Sequence, residues 1–578
     1  MNVVSDMIPL HRYILAPAAA AFVSVLQAAT TFDARDFGAV PDDGRCDMAA
    51  INRAIESADR DEPAVLRFEA GTYNLRESTR SMDALITIAG ASQLTLLGQT
   101  GEGGKPLTRF ERNVPEMQND MHAATQVRII NSSDVAIKNI VSDNDPAFGT
   151  AGRITAVNSA GDVVEVEVFP GLPHFDGMRC YSANSWDLET GRLMPVPALT
   201  IGVDTSKFRH TWQRVPGAES TYRLQGMGFA ERVQPGQGIS WHFYVVGRGR
   251  QFFMKKCTDV LLENVAVENI KGIGIAAQVC RNLAFKKVIV KPAPPALAVG
   301  ARDAFHLVCN DGNLLVEECY VKGVRWDPFN VKSKFCEVTG ITDRRHMVCR
   351  VRTGTTLLPL SGSALVFWTG SQPRTMQVAN EDWSEEIRIE GRPHRTFTLE
   401  LAEDIPDTVK AGSWFTPQAW TFDSAVFRSC TIEGNCGRAL LYQGENLNVD
   451  NCTFRNNAYA NIALGPVNHL EGGFVRTARI RNCRFVKSTW DDGANLLKGT
   501  VVTFHGVPAQ FDRQPYNEDI VIRDNLFRGI RCNPDVAAIH IGNAQDVTLR
   551  GNRFRDCRRQ VVVEERTTAN VDVDGTDD

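Results

Sequence analysis

One short pattern occurs nine times along the chain, and a chain that repeats itself this way folds by stacking coils. The copies read VAIKNIVS, VLLENVAV, LAFKKVIV, LLVEECYV, AVFRSCTI, LNVDNCTF, ARIRNCRF, IVIRDNLF and VTLRGNRF. In each, apolar residues alternate, a turn residue follows, and apolar residues alternate again. Side chains along an extended chain point to opposite faces in turn, so the apolar sets on both sides of the turn can share one interior. The turn residue is Asn139, Asn264, Asn451, Asn482, Asp524 or Gly551 in six copies. These are the types that best tolerate positive φ. Lys287, Glu318 and Ser429 are the exceptions. The residue after the turn falls at 140, 265, 288, 319, 430, 452, 483, 525 and 552, giving separations of 125, 23, 31, 111, 22, 31, 42 and 27. A solenoid coil takes roughly 20 to 30 residues, so the short separations are coils and the two longest hold inserted material. The pattern predicts an all-β protein, a right-handed parallel β-helix.

A solenoid lengthens without enlarging its core, so 578 residues need not mean several independent domains. Residues 1–29 hold an apolar run from Tyr13 to Leu26 behind His11 and Arg12, the layout of a signal peptide. Residues 30–145 then supply a capping helix and the first coils. In FDARDFGAVPDDGRCDMAAINRAIESA, Asp47 is placed to cap a helix with Met48, Ile51, Ile55 and Ala58 on its apolar face. The repeat vanishes over 146–255 and again over 337–420, where alternating segments such as RITAVNSAGDVVEVEVF and RTFTLELAED read as antiparallel strands. Two inserted β-barrel or sandwich domains are expected there, with central coils at 256–336 and C-terminal coils at 421–565. The acidic end, 566–578, is expected to be a disordered tail.

Composition narrows the partners. The chain has 63 Lys and Arg against 68 Asp and Glu, for a net charge of −5. No basic run is long enough to follow a phosphate backbone, so nucleic acid is not expected as a partner. Fourteen cysteines spread over this length, with no C-x-x-C pair, make neither a disulfide scaffold nor a zinc ribbon. Cys319, Cys430, Cys452 and Cys483 share one inward position of the repeat and read as small buried side chains. No metal constellation or phosphate loop stands out, and no cofactor is expected.

Candidate chemistry gathers between the insertions. Asp303 and Asp327 are 24 residues apart, close to one coil, so they are placed on adjacent coils at one edge of the solenoid. Coils stack at about 4.8 Å, which brings two such carboxylates within reach of the roughly 5 to 9.5 Å that glycosidases use. The competing reading is that each aspartate only caps a turn. His306 can orient a sugar hydroxyl or the aspartate, and Trp326 offers either a stacking face or a packing surface.

Two resemblances sharpen this. The opening DFGAVPDDG, a helix and then GTY resembles the start of the pectate-lyase-like β-helix superfamily. The run Gly272-x-Gly274…Gln278, then RDAFH with Asp303 and His306, then WDPFN with Asp327 and Asn330, resembles the core of glycoside hydrolase family 110. Glu471, just before a Gly in the later coils, matches that family's acidic position there. The resemblance implies an exo-acting α-1,3-galactosidase on a parallel β-helix with two inserted domains. It makes Asp303 and Asp327 catalytic acids. At one point the chain departs from the family pattern of two adjacent Asp, two residues, Asn, an apolar residue and His-Gly: Trp326 stands at the first Asp, and Lys332-Ser333 at His-Gly.

Three functional readings follow. In the first, an exo-acting, inverting glycoside hydrolase releases a terminal α-linked, galactose-like sugar, with Asp303 and Asp327 sharing the acid and base roles. His306, Trp326, Asn330, Lys332, Gln278 and Glu471 then bind the substrate. In the second, the site is a lyase or epimerase on uronate-containing glycans, with Lys332 or Arg325 near the carboxylate. In the third, catalysis is lost and the groove only binds carbohydrate. Each takes a carbohydrate partner, and the leader points to a secreted or periplasmic protein with no membrane contact after its removal.

Overall fold

The structure, a computed structural model, describes residues 29–58, 62–76, 83–114, 119, 124–195, 210–243, 249–352, 360–369, 373–466, 471–490, 498–503, 511 and 514–574. The expected signal peptide therefore lies almost wholly outside the described residues.

Three parallel sheets, of thirteen, eleven and eleven strands, form a β-helix. The first holds the segments before each turn, and in it Val135, Val260, Leu283, Leu314, Ala425, Leu447, Ala478, Ile520 and Val547 stand in one file, each paired with the next. Their separations reproduce all eight separations of the turn residues. Every turn residue is left-handed, with φ between 53° and 60°, and this includes Lys287, Glu318 and Ser429. Coil stacking thus imposes the conformation even where the residue type does not favour it.

The interior is one continuous apolar column that includes Cys319, Cys430, Cys452 and Cys483 as free, buried thiols. Phe305 stacks on Phe329 at 4.4 Å between ring centroids, fixing the two coils that carry the site. The N-terminal end is covered by the helix Met48–Ser57, which buries Ile51 and Ile55. Asp47 stands at its N-cap position but makes no capping bond. Its carboxylate instead accepts from the backbone N–H groups of Val40 and Asn74, at 3.0 and 2.8 Å, and ties the first coil to the helix.

Between the strands Ile140–Asp145 and Arg250–Lys255 the chain leaves the helix to form an eight-stranded antiparallel sheet. A second excursion, from Cys336 to Pro417, closes a six-stranded barrel. The C-terminal end corrects the expectation of a tail disordered from 566. Thr568–Val573 is the last strand of the first sheet, paired in parallel with Ala544–Arg550. Val571 packs there on the core, so alternation within an acidic segment was enough for one more strand.

Candidate active site

The site lies on the third sheet, where Ile273–Gln278, Phe305–Val308, Phe329–Lys332 and Leu440–Tyr442 are successive neighbours. Phe305, Leu307, Phe329 and Val331 point into the core. Alternation therefore turns His306 and Asn330, which are register partners, outward. Asp303 and Asp327 precede these two strands, and the N–H of Ala304 donates to the carbonyl of Asp327 at 3.2 Å, so the aspartates sit on adjacent coils.

One amide joins the pair: Asn330 Nδ2 lies 3.3 Å from Asp303 Oδ2 and 3.4 Å from Asp327 Oδ2. Those two legs put an upper limit of about 7 Å on the separation of the two carboxylate oxygens, which at most reaches the lower end of the roughly 6.5 to 9.5 Å seen in inverting glycosidases. Asp303 Oδ2 also faces His306 Nδ1 at 2.5 Å. Asp327 Oδ1 accepts from the Arg438 backbone N–H at 2.7 Å, and its Oδ2 pairs with the Arg438 guanidinium at 3.4 Å. Lys332 Nζ and Glu471 Oε1 form an ion pair of 2.7 Å alongside. Both aspartates are sealed, with side-chain exposures of 0 and 1%. The groups that reach solvent are His306, Lys332, Arg438 and Glu471, at 16, 14, 15 and 29%.

Burial pushes the Asp327 carboxyl up to about 6; Arg438 resists this and the charge of Asp303 adds to it. Burial also opposes charge on Asp303, but the hydrogen bond and charge of His306, with Arg302 and Lys332, outweigh it and hold that carboxyl below its ordinary value. Burial lowers His306, only partly offset by Asp303, so the imidazole is neutral at neutral pH. Its Nδ1–H then donates to Asp303, leaving the other ring nitrogen as an acceptor. Glu471 is held below the carboxylate range, its burial outweighed by Lys332. Two neighbouring carboxyls with separated protonation are the arrangement that acid–base chemistry needs.

Of the residues singled out in the sequence, Asp303, Asp327, His306, Asn330, Lys332 and Glu471 form this cluster. Trp326 borders it, half-buried, with the Arg302 guanidinium carbon 5.4 Å from its ring centroid. Gln278 is in register with Val308, one coil before Lys332, and among the described residues no hydrogen bond joins its side chain to the cluster. Arg325 is not part of the cluster and donates instead to Asn184 and Ser240 of the first inserted domain. The sequence reading missed Arg438. Asp327 and Arg438 are 111 residues apart, which is the separation already measured across the second insertion, so the repeat itself pointed there. Among the described residues no group of three His, Cys, Asp or Glu side chains could hold a metal ion.

Fold and site together define a parallel β-helix protein with two inserted β domains and a largely buried, carboxylate-bearing cluster on one of its sheets. A family model described as "Right handed beta helix region" matches residues 418–577. The chain is similar to several α-1,3-galactosidases. It is 21% identical over 531 residues to the α-1,3-galactosidase A of Shewanella woodyi, covering 85% of this chain and 81% of that one. It is 24% identical over 283 residues to the α-1,3-galactosidase B of Bacteroides thetaiotaomicron, covering 48 and 45%. The chain thus spans less than half the length of the latter. Among solved structures, the A-module of the Azotobacter vinelandii mannuronan C-5 epimerase AlgE6 superposes with a TM-score of 0.42 at 11% identity, covering 94% of this chain and 100% of that one.

Proposed function

We propose that the protein is a glycoside hydrolase that removes a terminal α-linked, galactose-like sugar from a glycan with inversion. The observation that carries this reading is the pair of neighbouring buried carboxyls, Asp327 and Asp303, bridged by Asn330 and pushed in opposite directions, Asp327 up by burial and Asp303 down by His306. The names of the similar α-1,3-galactosidases support the reaction class. In this reading Asp327 protonates the glycosidic oxygen, so that Trp326 in the neighbouring position costs no acid function. Asp303 Oδ2 is engaged by His306 Nδ1 at 2.5 Å, the ring that stands between it and solvent. Its charge acts through His306, whose free ring nitrogen takes a proton from water while Asp303 stabilises the imidazolium. A water nucleophile implies inversion. Trp326 supplies a stacking face, and Asn330, Lys332 and Glu471 supply polar contacts. Export, through the leader at 1–29, belongs to the same proposal.

Full burial of both aspartates favours a second reading, a groove that binds glycans without turnover. Proton NMR of the protein with terminal α-1,3-galactosides separates the two. The hydrolase reading expects β-galactose as the first product. Bound but uncleaved galactoside would establish the binding reading instead, and first release of the α-anomer would overturn inversion.

A further inference from the structure

Past Asn330, toward the C-terminal end of the same strand, the side chains become basic. Lys332 lies two residues on, about 6.6 Å along an extended strand from Asn330 and on the same face. Lys334 follows it. Lys332 gives one of its three donors to Glu471, and Lys334 gives one to the carbonyl of Arg352 in the barrel, at 2.9 Å. Among the described residues Lys334 has no carboxylate at ion-pair distance, so two ammonium groups share one carboxylate here, Glu471. Burial and the charge of Lys332 weaken the hold of Lys334 on its proton. A bound anion would relieve both effects.

A second feature lies beside them. Val331 pairs with Tyr442, which places Gln443 next to Lys332 on the following coil. Gln443 is 1% exposed, yet neither its amide oxygen nor its amide nitrogen has a hydrogen-bond partner. Buried amides are rarely left unpaired, and one beside a surplus ammonium group suits a charged oxygen ligand.

We infer that Lys332, Lys334 and Gln443 bind a fixed negative charge on the substrate, a carboxylate or sulfate ester carried by the sugar next to the scissile bond. This rests on the hydrolase reading and names its substrate class. A neutral galactoside would leave the Lys334 charge and the Gln443 amide unmatched.

The test compares p-nitrophenyl α-galactoside, α-galacturonide and 6-sulfo-α-galactoside under one set of conditions, with galactose, galacturonic acid and galactose 6-sulfate as binding probes by calorimetry. The inference expects kcat/KM at least tenfold higher on one charged substrate than on the galactoside, and the favoured one identifies the anion. Lys334→Met should reduce that preference at least tenfold; the wild-type preference stands as evidence whether or not the variant folds. Equal or faster cleavage of the galactoside would overturn the inference and leave the hydrolase reading standing. No cleavage, but selective binding of a charged monosaccharide, would do the reverse. Neither cleavage nor selective binding would overturn both.

Discussion

Asp327 carries the sharpest consequences of any single residue. If it is the acid, kcat/KM should fall as pH rises through about 6 and Asp327 ionises. A pH–rate profile should therefore show a descending limb near 6, and Asp327→Asn should abolish that limb and lower the rate by about 10²- to 10⁴-fold. A wild-type rate in that variant would remove Asp327 from the chemistry. The same group marks stability. Its folded value of about 6 exceeds the ordinary 3.8, so the native state binds a proton that the unfolded chain releases. That stabilisation is complete below about pH 4 and is lost as pH rises through 6, amounting to about 3 kcal/mol. Urea unfolding at pH 4 and pH 7 should show wild type losing more stability over this interval than Asp327→Asn, by about that amount. A pH-independent difference between the two proteins would mean that Asp327 titrates normally. Little of this was visible in the sequence. Spacing placed Asp303 and Asp327 on adjacent coils, but their sealing beneath His306 and Arg438 depends on side-chain packing that no spacing encodes.

At the scale of the repeat unit, legibility was high because solenoid register is a sequence property. Every separation between turn residues in the first sheet was readable, since each coil adds its own length to the next and nothing distant intervenes. Two things escaped. Asp47 was assigned to a cap because it precedes a helix, whereas its carboxylate serves the backbone of a neighbouring strand. The strand Thr568–Val573 was hidden by acidic composition, although Val571 and Val573 alternate within it. The turns also leave room for improvement. Lys287 has φ 53°, a conformation that costs an ordinary residue about 1 kcal/mol and asparagine less. On the coil before it, Asn264 donates its side-chain amide to Asn139 Oδ1 at 2.8 Å, the beginning of an asparagine ladder. Lys287→Asn should extend that ladder and gain about 0.5 to 1 kcal/mol, read as a higher urea midpoint with unchanged slope. The exposed Lys287–Glu318 pair, at 3.8 Å, is too weak to reverse the sign. An unchanged or lower midpoint would show that the stack already accommodates lysine without strain.

The molecule as a whole poses a question its coils do not: what holds the first inserted domain against the site? The described contacts single out Arg325, a charged side chain only 1% exposed. Its guanidinium donates to Asn184 Oδ1 at 2.7 Å and to Ser240 Oγ at 2.8 Å, two residues that face each other on neighbouring strands of the insertion. Ser240 also accepts from the Trp186 indole N–H at 2.8 Å, so the contact reaches into that domain's own packing. On the solenoid side the Arg325 N–H bonds the carbonyl of Gly300, and Trp326 and Asp327 follow directly in the chain. Arg325 therefore links the position of the inserted sheet to that of the candidate acid. Arg325→Met keeps most of the volume but takes the Arg325 donor from the buried Asn184 Oδ1, at about 1 to 3 kcal/mol, and leaves Ser240 Oγ with the Trp186 donor alone. Coils elsewhere contact only their neighbours, so the damage should stay local. Hydrogen exchange should quicken at 182–186, 238–242 and 324–328 while the C-terminal coils keep their protection, and turnover should fall with it. Exchange that quickens evenly along the chain would mean that Arg325 supports the whole solenoid. Exchange unchanged in all three segments would mean that apolar packing alone, such as Leu297 against the inserted sheet, seats the domain.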